Sequence, residues 1–144
     1  MDLQCGPWAL ELPDDWMQRE QEGDPGAYFS SPDEDIGIYI SLYNAAEGVE
    51  GRHVAETIRE MHKDSFESFE GYSWDCVKAD FEHGSVRALL LDMYASDKSY
   101  AVHTLVGYAA SGLIKLTVHH YLATDEQQAR AISLRLFATL RSSD

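Results

Sequence analysis

Residues 85–122 decide the fold of this 144-residue chain, and they read SVRALLLDMYASDKSYAVHTLVGYAASGLIKLTVHHYL. β-Branched and aromatic residues dominate three segments, 85–95, 100–108 and 113–122, which are separated by the short segments SDKS and AASG. Such residues favour strands, and short polar or small-residue turns join antiparallel strands into hairpins. The stretch therefore predicts three consecutive strands of an antiparallel sheet.

Further strands are predicted on the N-terminal side of this sheet. Alternation of apolar with polar residues indicates strands at WALEL (8–12), AYFSS (27–31), IGIYISLY (36–43) and residues 72–82. The polar segment 17–26 is predicted to be a loop, and His83-Gly84 a two-residue turn into the sheet.

Two helices complete the predicted fold. An apolar stripe at helical spacing predicts a helix over residues 52–69. Thr124, followed three residues later by Gln127, has the spacing of a capping box at the start of a second helix. We therefore predict a single α+β domain over residues 1–144, with an antiparallel β-sheet of about six to seven strands flanked by two helices.

Charge is unevenly distributed along the chain. Its net charge is −14, and residues 1–72 hold 17 acidic and 4 basic side chains, a balance of −13. Such a surface disfavours nucleic acid and anionic membranes, because both are bound through clustered Lys and Arg. It favours a basic protein partner. With neither a signal-peptide pattern nor a long apolar run, the chain is predicted to be a cytoplasmic protein.

The sequence holds no P-loop, dinucleotide-binding or nucleophile-elbow motif, so we predict a protein that is not an enzyme and has no cofactor. One polar row is the exception. Hairpin lengths predict that Asp75 lies opposite Asp92, that Asp92 lies opposite His103, and that His120 is diagonal to His103. Such residues could bind a divalent metal or transfer protons, which would make a metal-dependent enzyme. The competing interpretation is plain structural hydrogen bonds. His119 is predicted to face solvent.

A contact surface for another protein is predicted on the strand IGIYISLY. Its tyrosines Tyr39 and Tyr43 share one face and follow the acidic residues Asp33, Glu34 and Asp35. Tyrosine suits interfaces because it combines an apolar ring with a polar tip. Two alternatives stay open: both tyrosines pack under a helix, or the apolar sheet face forms a small-molecule carrier cavity.

The order of predicted elements, the motif LELPDDW (10–16) and the closing run from KLTV to FATLR resemble PsbP-like domains, which include photosystem PsbP and the Ran-binding Mog proteins. The turn Glu11-Leu12-Pro13-Asp14-Asp15-Trp16 is most similar to that of the Eag chaperones of type VI secretion. The resemblance implies a non-catalytic domain that binds a secreted effector's hydrophobic helices, as a homodimer. The acidic first half also suits an immunity-type protein that neutralises a basic toxin.

Overall fold

The computed structural model describes residues 1–20, 26–44 and 47–143, which form ten strands and two α-helices. A seven-stranded antiparallel sheet has the order β3-β4-β5-β9-β8-β7-β6, and a three-stranded sheet has the order β1-β2-β10. The elements are β1 (Asp2–Cys5), β2 (Trp8–Glu11), β3 (Met17–Arg19), β4 (Ala27–Ser30), β5 (Ile36–Tyr43), α1 (Gly51–Glu67), β6 (Asp75–His83), β7 (Val86–Ala95), β8 (Tyr100–Ala109), β9 (Gly112–His120), α2 (Glu126–Phe137) and β10 (Arg141–Ser142).

The predicted meander is confirmed as β7, β8 and β9. Ala95 pairs with Tyr100 and Tyr108 with Leu113, as the lengths of the two turns predict. The hairpin between β6 and β7 differs, because His83 pairs with Val86 and the two-residue turn is Gly84-Ser85. Gly84 has a φ of 60°, which glycine adopts without strain and which suits the first position of a type II′ turn.

This turn shifts the predicted register of β6 by two residues. Asp75 lies opposite Tyr94, and Val77 takes the place opposite Asp92. The predicted pairing of Asp75 with Asp92 is therefore wrong, although a two-residue shift keeps Asp75 on the predicted face of the sheet.

The two faces of the large sheet are covered by different elements. The α2 face packs against α2 and the three-stranded sheet and forms the main core, which includes Trp8, Leu10, Ile38, Leu90, Leu105, Leu116 and Phe137. On the other side, the α1 face packs Ala55 and Phe66 against residues such as Leu89, Leu91, Val102, Val106 and Leu113. Helix α1 lies mainly over β7 and β8.

Two local predictions need correction. Asp125, rather than Thr124, caps α2, since its carboxylate accepts hydrogen bonds from the backbone N–H groups of Gln127 and Gln128 at 3.0 and 3.2 Å. Its extended backbone places the carboxylate over the first turn. The predicted loop 17–26 contains β3, while residues 21–25 lie outside the described residues. In the described ranges no helix is both long and apolar enough to cross a bilayer.

Candidate functional site

Three of the four residues of the predicted polar row come together beneath α2. Asp92 lies opposite His103 as predicted, and the His103 and His120 rings meet edge to face at 5.7 Å. All three side chains are buried. Asp75 is exposed on β6, at the edge of the sheet.

Helix α2 supplies partners that could not be assigned from the strands alone. Arg130 donates from Nε to Asp92 Oδ2 at 3.1 Å, while Asp92 Oδ1 lies 2.7 Å from His103 Nδ1. His120 Nε2 lies 2.8 Å from the hydroxyl of Ser133, which is fully buried. These contacts connect α2 directly to β7 and β9, and through Asp92 to His103 on β8.

Burial and charge fix the protonation of Asp92 and His120 in this network. Burial opposes ionisation of Asp92, but hydrogen bonds and charge from His103 and Arg130 outweigh it and lower the pKa of the carboxyl. Burial, with a smaller contribution from His103, lowers the pKa of His120 to about 4. At neutral pH, Asp92 is therefore a carboxylate and His120 a neutral imidazole.

The network has the chemistry of a structural cluster. Asp92 is occupied by Arg130 and His103, and the fully buried Ser133 hydroxyl has no access to a substrate. Across the described ranges, no three His, Cys, Asp or Glu side chains are grouped so that they could hold a metal ion. The observed contacts favour the interpretation that these residues fix α2 to the sheet.

The predicted tyrosine face divides into two different environments. Tyr39 is half-buried, with its ring 4.3 Å from that of Tyr28 and 5.2 Å from that of His119. Tyr43 is 37% exposed at the far end of β5, where Lys115 Nζ lies 5.8 Å from its ring. Tyr39 therefore belongs to a packed cluster, and Tyr43 stands apart from it.

The predicted acidic residues form the turn between β4 and β5. Asp33 accepts a hydrogen bond from the Ser31 hydroxyl at 2.7 Å and another from the backbone N–H of Asp35, and both lower the pKa of its carboxyl. The carbonyl of Asp35 accepts the backbone N–H of Tyr121 at 2.9 Å. Glu34 lies 3.8 Å from Arg19. The acidic turn is thus joined to the end of β9.

A continuous group of rings lies on the α1 face, beside the end of α1, and of its members only Tyr39 was predicted as a site residue. We call it the aromatic surface, and its members are Tyr28, Tyr39, Phe66, Phe69, Tyr72, Trp74, Tyr100, His119 and Tyr121. Successive rings lie between 4.3 and 6.2 Å apart. They come from β4, β5, α1, β8, β9 and the segments next to them.

The inner part of the aromatic surface is held by hydrogen bonds. His119 Nδ1 lies 2.5 Å from the Tyr100 hydroxyl, and the Tyr28 and Tyr121 hydroxyls are 3.2 Å apart. Trp74 donates from Nε1 to the carbonyl of Phe66 at 3.0 Å. The prediction that His119 faces solvent is wrong, because Phe66 and Tyr100 cover it. Burial lowers the pKa of His119 to about 4.

The outer part of the aromatic surface faces solvent. Phe69 is 49% exposed, and Tyr72 and Tyr121 are each 38% exposed. Lys98 Nζ lies 5.6 Å from the Tyr72 ring, within the range of a cation–π contact. The spacing of His119, near the end of β9, and Tyr121, just beyond it, is the alternate spacing of one strand face, and this signal could have pointed to this side of the sheet.

Two surface grooves bear on the carrier hypothesis. One of about 390 Å³ is lined by apolar residues, among them Leu12, Trp16 and Leu136, together with Glu11, Arg135 and Thr139. The other, of about 260 Å³, lies beside His120 and is bordered by Asp33, Asp35 and Asp125. The apolar sheet face of that hypothesis lies under α2, where Leu90, Leu105 and Leu116 pack into the main core. The small-molecule carrier remains a prediction.

Neither a protein-family model nor a curated protein sequence matches the chain. Solved structures match it in fold. The solution structure of cyanobacterial PsbP (CyanoP) from Synechocystis has a TM-score of 0.71 and 9% identity, covering 99% of this chain and 91% of that one. LpqN, involved in cell envelope biogenesis of Mycobacterium tuberculosis, has a TM-score of 0.57 and 15% identity, covering 94% and 85%.

A protein of unknown function from Pseudomonas aeruginosa has a TM-score of 0.50 and 11% identity, covering 96% of this chain and 94% of its own. The chain therefore has a PsbP-like α+β fold, as the sequence predicts. At these identities, the similarity concerns the fold alone.

Proposed function

We propose that the chain is a non-catalytic protein-binding domain that holds its partner on the aromatic surface. In this proposal it is a secretion-associated chaperone or adaptor of the bacterial cytoplasm, close to the Eag chaperones within the PsbP-like fold. The supporting observation is the exposure of Phe69, Tyr72 and Tyr121 as one continuation of a buried ring cluster. Contiguous exposed apolar surface marks interaction sites, and Tyr and Trp are frequent binding hot spots.

The distribution of charge around α1 supports an apolar segment of the partner as the part that is bound. On the side towards β6, Arg52 pairs with Asp80 at 3.1 Å and Glu60 pairs with Lys78. At 3.6 residues per turn, the opposite side carries the uncharged residues Ile58, Met61 and Ser65. Met61 is 68% exposed. An apolar helix of an effector would lie along this uncharged side and reach the aromatic surface at the end of α1.

A second candidate function follows from the acidic turn beside Tyr121. The carboxylates of Asp33, Glu34 and Asp35 border the aromatic surface, because the backbone of Asp35 binds that of Tyr121. A basic toxin would meet both the carboxylates and the rings, as in an immunity-type protein. Salt separates the two candidates: it weakens a complex formed by charge and leaves one formed by apolar burial largely intact.

The test begins with a pull-down of the tagged protein from its native lysate, washed at low and at high salt. The captured partner is identified, purified and titrated against the wild-type protein and Tyr72→Ala/Tyr121→Ala. We expect the double variant to bind at least about tenfold more weakly, since hot-spot truncations cost about 2 kcal/mol or more.

Tyr43→Ala is the matched control, since Tyr43 is 37% exposed and lies outside the aromatic surface. Unchanged affinity in the double variant, with a loss in Tyr43→Ala, would instead support the tyrosine face predicted from the sequence. A lysate that yields no partner in either wash would count against a protein-binding role and favour the metal-dependent enzyme or the carrier.

A further inference from the structure

Strand β6 is a long, open edge of the large sheet. It spans nine residues and pairs with β7 on one side only, whereas β3 at the other edge has three residues. Val77 on β6 is 57% exposed. An exposed edge of this length offers a row of backbone N–H and C=O groups to another strand.

Arg59 reveals which backbone groups of β6 point outwards. Its Nη1 lies 3.3 Å from the carbonyl oxygens of both Ala79 and Leu90, which are paired across β6 and β7. Two carbonyls can meet one nitrogen in this way only if both point into the space between the strands. Because the direction alternates along a strand, the backbone groups of Lys78 and Asp80 point away from β7.

The turn at Gly84-Ser85 shows independently which backbone groups of β6 point towards β7. In a hairpin with a two-residue loop, the residues that flank the loop form a hydrogen-bonded pair, here His83 with Val86. Hydrogen-bonded pairs recur at every second residue, so Phe81 and Ala79 belong to such pairs as well as His83. The backbone N–H and C=O groups of Ala79 therefore point towards β7, in agreement with the Arg59 contacts. The outward groups therefore belong to Cys76, Lys78, Asp80 and Glu82.

We propose that β6 pairs antiparallel with β6 of a second copy of this chain, with Ala79 on the two-fold axis. Lys78 then lies opposite Asp80 of the second copy, and the symmetry forms this pair twice. On the other face, Val77 lies opposite Phe81, and Asp75 opposite His83. The outward residues of the two strands exchange about eight backbone hydrogen bonds and join the two sheets into one.

Several registers would allow the outward backbone N–H and C=O groups of the two β6 strands to form hydrogen bonds with each other. The charges of the side chains favour the register with Ala79 on the axis. A shift of the axis to Lys78 places Lys78 opposite itself, and a shift to Asp80 places Asp80 opposite itself. Moving the axis to Phe81 puts Asp80 opposite Glu82. Like charges directly opposite destabilise a strand pair, whereas opposite charges stabilise it. An axis at Val77 leaves both Lys78 and Asp80 without an opposite charge across the interface.

The covering elements leave room for the second copy. The proposed symmetry places both α1 helices on the same side of the joined sheet. Helix α1 lies over β7 and β8, so the two axes are about four strand spacings apart, roughly 19 Å. Packed helices need only about 8–10 Å. Within each copy, Arg52 pairs with Asp80 and Glu60 pairs with Lys78. In the dimer, charges of opposite sign would therefore alternate from α1 of one copy, across the two β6 strands, to α1 of the other.

Disulfide trapping tests the register in the full chain after Cys5→Ser and Cys76→Ser. At the axis, Ala79→Cys places two Cα atoms about 4.5 Å apart, within disulfide range. The matched control Val77→Cys places them about 14 Å apart. Under mild oxidation, we expect Ala79→Cys to form a covalent dimer at least about tenfold faster than Val77→Cys. Equal rates, or faster trapping of Val77→Cys, would overturn the proposed register.

Charge reversal tests the same contact without cysteines. Sedimentation should give a dimer of twice the 16.2 kDa chain mass. Lys78→Asp should raise the dimer dissociation constant at least about tenfold at low salt, since two attractive pairs become repulsive. The swap Lys78→Asp/Asp80→Lys should restore dimerisation when Arg52→Gln and Glu60→Gln remove the charges that face these positions within the chain. A monomeric wild type, or a dimer that Lys78→Asp leaves unchanged, would refute the proposal. Neither result depends on the aromatic surface, so the proposed function is tested separately.

Discussion

Acid should destabilise the fold through His120, and the sign follows from its surroundings. The imidazole is 4% exposed and bonded to Ser133, and burial lowers its pKa to about 4. In the unfolded chain its pKa returns to about 6.5. The unfolded state therefore binds the proton more tightly, so stability is lost as pH falls from about 6.5 towards 4 and is fully present above this window.

The expected magnitude is a slope of about 1.4 kcal/mol per pH unit inside that window, or roughly 3 kcal/mol in all. The comparison variant is His120→Gln, whose amide can still bond to Ser133 but cannot be protonated. Urea denaturation of both proteins at several pH values between 7.5 and 4.5 gives the free energy of unfolding. We expect the wild type to lose about 2 kcal/mol more than His120→Gln between pH 6.5 and pH 5.

Subtraction of the two curves removes the contributions of other titrating groups, including His119 and His62, whose pKa values burial also lowers. His53→Gln serves as the surface control, because His53 is exposed on α1, and its curve should run parallel to that of the wild type. If the wild-type and His120→Gln curves were parallel as well, His120 would not be held neutral by burial, and this account of the polar network would fail.

Three further outcomes are expected. Asp92→Ala should cost about 3–5 kcal/mol in urea denaturation and Arg130→Ala less, because Asp92 is buried with two partners while Arg130 is half exposed; equal losses would contradict this. In Gly37→Ala the new Cβ would lie 2.0 Å from the Tyr28 hydroxyl. It should cost about 1–3 kcal/mol, and much less in a Tyr28→Ala background. Zn²⁺ or Mn²⁺ should leave the melting temperature of metal-free protein unchanged; a clear rise would revive the metal-dependent enzyme.

The positions of Asp92, His103 and His120 in the polar row could be predicted because short turns join their strands. The loops between β7, β8 and β9 fix their registers, so the sequence places Asp92 opposite His103 and His120 next to His103. The prediction was wrong for Asp75, because it placed the turn at His83-Gly84. The turn is Gly84-Ser85, and this difference moves the pairing of β6 with β7 by two residues. The partners Arg130 and Ser133 come from α2, whose position over the sheet is not encoded in any strand pattern.

The sequence by itself determined both helices and six of the seven strands of the large sheet, because alternation, helical spacing and turn composition are local properties of the chain. It did not predict β3 or the separate three-stranded sheet that takes up β2. The tertiary structure decided which residues of the large sheet are buried, which are exposed and which strand forms its open edge. Helix α1 covers His119 with Phe66, and the pairing of β4, β5, β9 and β8 brings Tyr28, Tyr100 and Tyr121 together in the aromatic surface. The strand order leaves β6 paired on one side only. Both outcomes depend on the order in which the strands pair and on where α1 lies across the sheet, and these are set by the packing of whole elements.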